Sequence, residues 1–511
     1  MDVDWQARKR ARVARDPRFD GKFFIGCITT RIYCRPSCPV PTVGDKNVCY
    51  FASAAAAAEA GYRPCLRCRP ECSPGTPGWN GTSATVTRAL RLIAESDLQD
   101  SGIESLAERL GVGTRHLRRL FLKHLGASPS AVVHTRRLHF AKKLIDETTL
   151  PMNEVALAAG FGCVRRFNAT IRETYHRTPT QIRRLARQVD SQREEQYTLR
   201  LRFRPPYQWQ AMLAFLAPRA TPGNEAVESG MYRRSISLDG SQGWLDVSLD
   251  APSHSLAVRI QFPDPRSLFC ICERVRAMFD LNADWMAIES ALSGSAVLAA
   301  RIDAMPGLRV PGCWDGFELT VRAIIGQQIS VKGATTLAGR LVREFGRPVK
   351  LGKSAPSVLT HIFPPPEVLA GADLTRAGLT NARAETVRAL ARAVCERRIS
   401  FESVVDSEAF EERLCEIPGM GRWTAQYVRM RALGDPDAFP SSDLGLLRAS
   451  GLTNAGELDK LAEAWRPWRA YAAMYLWNLA SENRTLRKSS LARSRSGRGA
   501  PTAPRRIIVA A

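Results

Sequence analysis

Apolar residues recur at helical spacing in two matching stretches of the chain. Ile103 to Leu110 is amphipathic, Gly111-Val112-Gly113 interrupts it, and Arg115 to Leu125 resumes it. On the second stretch Leu117, Leu120 and Phe121 fall on one side and Arg115, His116, Arg118, Arg119 and Lys123 on the other. This predicts a short helix, a glycine turn and a basic second helix with Thr114 as its N-cap. The pattern repeats as Met152 to Ala159, the turn Gly160-Phe161-Gly162, and Val164 to Tyr175, with Cys163 at the capping position. Further on the period changes to two. Tyr197 to Phe203, Ser235 to Leu238, Leu245 to Leu249 and Leu256 to Phe262 alternate as strands do, so residues 195–290 read as a small α+β domain. From Phe317 to Ala480 the pattern is helical again. The fold class that follows is a multidomain chain, mainly α with α+β parts.

Length and charge refine this. At 511 residues the chain holds about three to five domains. The net charge of +23 points to a polyanionic partner. It is unevenly spread. Residues 1–74 carry 13 basic and 7 acidic side chains, residues 81–190 carry 18 and 10, residues 191–480 carry 34 and 32, and the segment from Ser481 carries 8 and 1. Hydrophobic residues make up 45%, which excludes wholesale disorder. No apolar run is long enough for a membrane span and the first residues form no apolar signal core, so no membrane partner and a cytoplasmic location are expected.

Seven of the 13 cysteines lie before residue 73. Cys34-Arg35-Pro36-Ser37-Cys38 and Cys65-Leu66-Arg67-Cys68 are two short-spaced pairs, the arrangement that a tetrahedral four-thiolate zinc site needs. A module of about 70 residues with few large apolar side chains also gains folding free energy from a metal. Together with Asp16-Pro17-Arg18-Phe19-Asp20-Gly21 and Gly61-Tyr62-Arg63-Pro64, these residues resemble the N-terminal domain of the Ada methylphosphotriester repair family. The resemblance implies that Cys34, Cys38, Cys65 and Cys68 bind one zinc ion. It further implies that Cys34 accepts a methyl group from a DNA phosphotriester. Zinc keeps sulfur as the nucleophilic thiolate. Methylating one sulfur removes a negative charge from a centre that repels phosphate, so affinity for DNA rises. Nearby Cys72 reads as a free thiol in a linker that continues through Ser73-Pro74-Gly75.

The tandem helix pairs, each followed by a proline (Pro129 and Pro179), resemble the AraC-type DNA-binding domain. By that likeness Arg115, His116, Arg119, Arg165 and Arg166 are candidate DNA contacts, and RNA polymerase is an expected partner of the activator.

The informative segment of the helical region is Pro418-Gly419-Met420-Gly421, which reads as a helix-hairpin-helix turn. Gly419 and Gly421 there let backbone N–H groups approach a phosphate. Asp443 follows a loop, where an aspartate is usually an N-cap. Its context is larger. Residues 308–330, the hairpin, Phe439 to Asp443 and Trp465 to Trp477 together resemble the AlkA family of 3-methyladenine DNA glycosylases over residues 195–480. The resemblance implies Asp443 as catalytic carboxylate, Trp423, Tyr427 and Trp477 as walls of a base pocket, and Gln328 at the wedge position, where the family uses an apolar residue. Where related enzymes carry a lysine nucleophile this chain has Trp423, so base excision without strand cleavage is expected. No cysteine follows Cys415, so no iron–sulfur cluster is expected, and no Pro-Cys-His-Arg motif for O6-methylguanine repair occurs.

The expected division is 1–74 Ada-like zinc module, 81–190 AraC-type helix-turn-helix domain, 195–308 AlkA-like N-terminal α+β domain, 309–480 all-helical helix-hairpin-helix glycosylase domain, and 481–511 a basic disordered tail. The function expected is alkylation repair joined to transcriptional control. The alternative is a transcription regulator whose glycosylase half is only a DNA-binding platform.

Overall fold

The computed structural model describes residues 5–41, 43–74, 84–95, 102–186, 196–349, 355–402, 404 and 406–480. The expected tail from Ser481, and most of the linker after Ser73, lie outside the described residues.

The N-terminal module is a four-stranded sheet in the order β3-β1-β2-β4, with β1 Phe24–Cys27, β2 Ile32–Cys34, β3 Val48–Phe51 and β4 Arg63–Pro64. β1 pairs antiparallel with β2 and β3, while β4 joins β2 in parallel. Its apolar interior is small, with Phe23, Phe24 and Tyr33 buried.

Both helix-turn-helix units form. Ile103–Arg109 precedes Thr114–Leu125, and Met152–Ala158 precedes Val164–Tyr175. Leu117, Phe121 and Leu125 are buried on the first basic helix, and Phe167, Ile171 and Tyr175 on the second. One cap differs from expectation. Gly113 is the N-cap and Thr114 the first helical residue, because the glycine already supplies the extended backbone that a cap requires. Cys163 caps the second helix, its sulfur accepting from the Arg166 N–H. The helix Pro129–Glu147 links the two units.

The next layer is a five-stranded antiparallel sheet, β5-β9-β8-β7-β6, built from β5 Gln196–Arg202, β6 Glu225–Glu228, β7 Met231–Leu238, β8 Ser241–Asp250 and β9 Ser255–Gln261. β6 escaped the sequence pattern because Glu-Ala-Val-Glu is too short to show alternation. Among the described residues the remaining region is helical apart from a two-residue pairing of Arg347–Pro348 with His361–Ile362 and an isolated bridge at Leu359. That excursion docks on the sheet domain, where Ser235 Oγ donates to the His361 carbonyl at 2.6 Å.

Two hydrophobic cores span more than one of the expected segments. One core joins Leu138, Leu144, Phe167 and Tyr175 of the helix-turn-helix region to Leu199, Val258 and Ile271 of the sheet domain. Another joins Trp285, Ile288 and Ile302 to Trp465, Tyr471 and Tyr475 near the end of the chain. Ion pairs and a hydrogen bond tie the N-terminal module to the parts that follow it. Lys22 meets Asp284 at 2.5 Å, and Arg69 meets Asp146 and Glu147 at 3.0 Å each. Tyr33 Oη and His139 Nε2 are 2.8 Å apart. Such pairs add little net stability, but losing one partner strands a charge and costs about 3–5 kcal/mol.

Candidate active sites in two parts of the chain

The four predicted thiols converge. The sulfurs of Cys34, Cys38, Cys65 and Cys68 all lie within 4.8 Å of one another. Cys34 is partly exposed and the other three are buried. Packed this closely, the thiols cannot all ionise unaided. Hydrogen bonds from Cys34 and Cys38 pull the Cys65 thiol down, while those from Cys38 and Cys65 push the Cys34 thiol up. A divalent cation removes that conflict, and an all-sulfur tetrahedral donor set suits zinc. The loop between the first two ligands is braced. The Asp20 carboxylate accepts from Arg35 Nη1 at 2.7 Å, from the Ser37 N–H at 3.0 Å and from Ser37 Oγ at 2.7 Å. Arg204 Nε of the sheet domain donates to the Asp20 carbonyl at 2.9 Å. Cys72 stands apart from this group. It is buried in the turn Pro70–Cys72, where burial raises its thiol pKa, so it is no linker residue.

The second constellation centres on Asp443. This residue does cap a helix, Leu444–Ser450, with Oδ1 accepting from the N–H groups of Gly445 at 2.8 Å and Leu446 at 3.1 Å. Two indoles also point at it. Trp477 Nε1 donates to Oδ1 at 2.9 Å and Trp423 Nε1 to Oδ2 at 3.0 Å. Gly445 permits this approach, since a Cβ there would sit 3.3 Å from the Trp477 ring. The ring of Tyr427 stacks on Trp423 with centroids 5.4 Å apart and meets Trp477 edge-on at 6.3 Å. Trp423 and Tyr427 lie four residues apart on the helix Arg422–Ala432, so helical spacing brings them together. The carboxylate and the three aromatic side chains thus form one half-buried cluster.

Sequence reasoning missed the floor of this cluster. Arg431, four residues beyond Tyr427, donates to its hydroxyl at 2.6 Å and is clamped by the carbonyls of Pro311 at 2.8 Å and Gly312 at 2.9 Å. Burial alone would push the Tyr427 phenol up, yet the charges of Arg431 and Arg219 hold it below its ordinary value. The spacing Trp423–Tyr427–Arg431 was a usable signal, because all three share one helix face.

The hairpin adopts the expected turn. Gly419 has φ of +87°, and a Cβ there would lie 2.2 Å from Thr386 Oγ1. Gly421 opens the following helix, and no atom lies within 4 Å of where its Cβ would stand. Gln328 is exposed on the loop after the helix Gly316–Gly326, with φ of +57°. Arg115, His116, Arg119, Arg165 and Arg166 are all exposed on the second helices of their units.

Comparisons with known proteins place the chain among DNA-repair relatives. Family models match for the metal binding domain of Ada over residues 7–71, a helix-turn-helix domain over 106–185, and the AlkA N-terminal domain over 198–315. A Mycobacterium tuberculosis protein described as a probable bifunctional transcriptional activator/DNA repair enzyme AlkA is 41% identical over 484 residues, covering 93% of this chain and 97% of its own length. The chain belongs to this bifunctional AlkA family. The AlkA half is also 36% identical to the DNA-3-methyladenine glycosylase 2 of Escherichia coli, spanning 54% of this chain and 95% of that protein. A further stretch of 130 residues is 36% identical to part of the Escherichia coli Ada protein, over 25% of this chain and 34% of the relative. Among solved structures, a 3-methyladenine DNA-glycosylase from Archaeoglobus fulgidus aligns over 55% of this chain and 98% of its own, with a TM-score of 0.48 and 24% identity. No helix among the described residues is long and apolar enough to cross a membrane.

Proposed function

We propose that the chain repairs alkylated DNA in two ways and regulates transcription in response, within the cytoplasm. Its parts are a zinc-thiolate module at 1–74, a promoter-binding double helix-turn-helix at 81–190 and a monofunctional glycosylase formed by 195–308 and 309–480. The observation that carries the repair reading is the Asp443 carboxylate with two indole N–H groups aimed at it and an aromatic stack beside it.

In the glycosylase, a base such as 3-methyladenine is rotated out of the duplex, and a damaged pair yields more readily than an intact one. Alkylation at a ring nitrogen leaves the purine cationic. The faces of Trp423, Tyr427 and Trp477 attract that cation by about 0.5–2 kcal/mol each. Asp443 then stabilises the positive charge that grows on the sugar as the glycosidic bond breaks. Oδ1 already accepts three hydrogen bonds and Oδ2 only one, so Oδ2 has lone pairs free for the sugar or an attacking water. Trp423 supplies no amine to form an imine with the sugar, so the strand stays intact. Gly419 and Gly421 present backbone N–H groups to a phosphate, and Gln328 fills the space that the base leaves.

In the N-terminal module the Cys34 sulfur attacks the methyl carbon of a phosphotriester. The S–C bond forms, the C–O bond breaks, and the electron pair leaves with the phosphate oxygen as a diester anion. Cys34, Cys38, Cys65 and Cys68 would hold a zinc ion, which would keep the attacking sulfur ionised. Arg115, His116 and Arg119 on one helix, and Arg165 and Arg166 on the other, meet promoter DNA, where the activator works on RNA polymerase.

The test is to incubate the protein with methylated duplex DNA and separate the released bases by chromatography. Release of 3-methyladenine with an uncut strand is expected, and no release refutes the glycosylase reading. Peptide mapping of the same protein should find the added methyl on Cys34, and a methyl elsewhere would sink that assignment.

A further inference from the structure

This inference rests on the glycosylase reading. The loop that carries Gln328 is fastened to the hairpin by the residue before it. Gln327 Nε2 donates to the Gly419 carbonyl at 3.0 Å and to Thr424 Oγ1 at 3.0 Å. Both N–H bonds of one amide are therefore spent on the hairpin and on the first turn of the helix that bears Trp423. The Gln327 carbonyl accepts from Arg383 Nη2 at 2.5 Å. From the same helix as Arg383, Thr386 Oγ1 donates to the Pro418 carbonyl at 2.9 Å. Loop and hairpin are thus bound to a common frame.

Gln328 itself sits in the left-handed region, which costs a non-glycine residue about 1 kcal/mol or more, so its neighbours must hold it there. A wedge that enters a base stack meets resistance, and a loop anchored only at its ends would yield. We propose that Gln327 is a positioning residue that makes the wedge and the phosphate-gripping hairpin one rigid unit. Seating the hairpin on the DNA backbone then drives Gln328 into the stack. The coupling is needed only when the target base is paired.

The experiment compares single-turnover excision of one lesion in a fully paired duplex and in a duplex where the opposite position is an abasic analogue. Gln327→Glu keeps the side-chain length but removes both donors and sets a carboxylate against a carbonyl. Two lost hydrogen bonds predict a fall of about tenfold on the paired substrate. On the unpaired substrate the fall should stay within about threefold. Thr424→Val should lower the same ratio, and Thr424→Ser, which keeps the hydroxyl, should restore it. That pair decides the matter if Gln327→Glu fails to fold by its melting curve. Equal losses on both substrates, or unchanged ratios, overturn the proposal. No release by the wild-type protein from either substrate overturns the glycosylase reading beneath it.

Discussion

Replacing Asp443 by Asn separates its helix cap from the catalytic role proposed for it. As a helix cap, Asn and Asp are nearly equivalent. The Asn oxygen can still accept from Gly445, Leu446 and the Trp477 indole, as Oδ1 does now. Its amide nitrogen would then face the Trp423 indole N–H, donor against donor, in place of the present 3.0 Å bond. The structural loss is one hydrogen bond, about 1 kcal/mol, or a few degrees of melting temperature at most for a protein of this size. The chemical loss is larger. A carboxylate about 4 Å from a developing positive charge, in surroundings of effective dielectric near 20, stabilises it by about 4 kcal/mol. Asparagine retains only a dipole. Single-turnover release of 3-methyladenine should therefore fall by about 10³-fold while the melting temperature hardly moves. A fall of less than about tenfold would refute the electrostatic role. A large fall accompanied by collapse of the melting transition would mean that Asp443 acts through the fold.

Other consequences can be checked independently. Chelating the metal, or replacing Cys38 with Ser, should abolish methyl transfer to Cys34 and loosen the N-terminal module, measurable as faster proteolysis near residues 34–68, while base release persists. Gly419→Ala forces a Cβ to 2.2 Å from Thr386 Oγ1 at a φ of +87°, so hairpin function should drop and duplex binding by the glycosylase region weaken at least tenfold by fluorescence anisotropy. Burial raises the Asp280 pKa from 3.8 to about 6. The buried acid favours folding only when protonated, so its stabilisation is complete below pH 3.8 and is lost as pH rises through about 6. The difference in melting temperature between wild type and Asp280→Asn should follow that window, corresponding to about 3 kcal/mol, and a flat difference would contradict the burial argument.

The sequence was most informative where chemistry depends on local spacing. Cys34, Cys38, Cys65 and Cys68 met as expected because two short-spaced pairs need only one sheet to face each other. Both basic helices ended within a residue of their expected limits, because apolar periodicity records which face is covered. Asp443 was legible only through its surroundings, since a capping aspartate and a catalytic one look alike in isolation. What stayed hidden were partners far apart in sequence. Nothing near Lys22 announces Asp284, nothing near Tyr33 announces His139, and Gln327 gave no sign of its bonds to Gly419 and Thr424. Periodicity shows that a face is buried but not against what. For the same reason nothing in the sequence announced the cores that join residues 138–182 to the sheet domain and 285–302 to the closing helices.

The structure also changes what the charge count means. Residues 191–480 look almost neutral by tally, yet Arg204, Arg234, Arg276, Arg309, Arg429 and Arg431 are buried. Arg234 is spent on Glu225 and Glu318, and Arg431 on two carbonyls and the Tyr427 hydroxyl. These cations hold the fold and the floor of the site together and cannot neutralise phosphate. Glu225, Asp246, Asp284 and Glu318 are buried with them, so the described surface of that half stays close to neutral, as its composition suggests. If that half grips DNA as proposed, donors without net charge are needed, and the proposed hairpin N–H groups of Gly419 and Gly421 are of that kind. The helix-turn-helix region follows the opposite rule. Arg115, Arg118, Arg119, Arg165 and Arg166 are all exposed, so the cations of those two helices face solvent, where the proposed DNA contact would be made. On the function proposed above, the two halves meet the same polyanion by different physical means, one with side-chain charge and the other with backbone dipoles around an aromatic pocket.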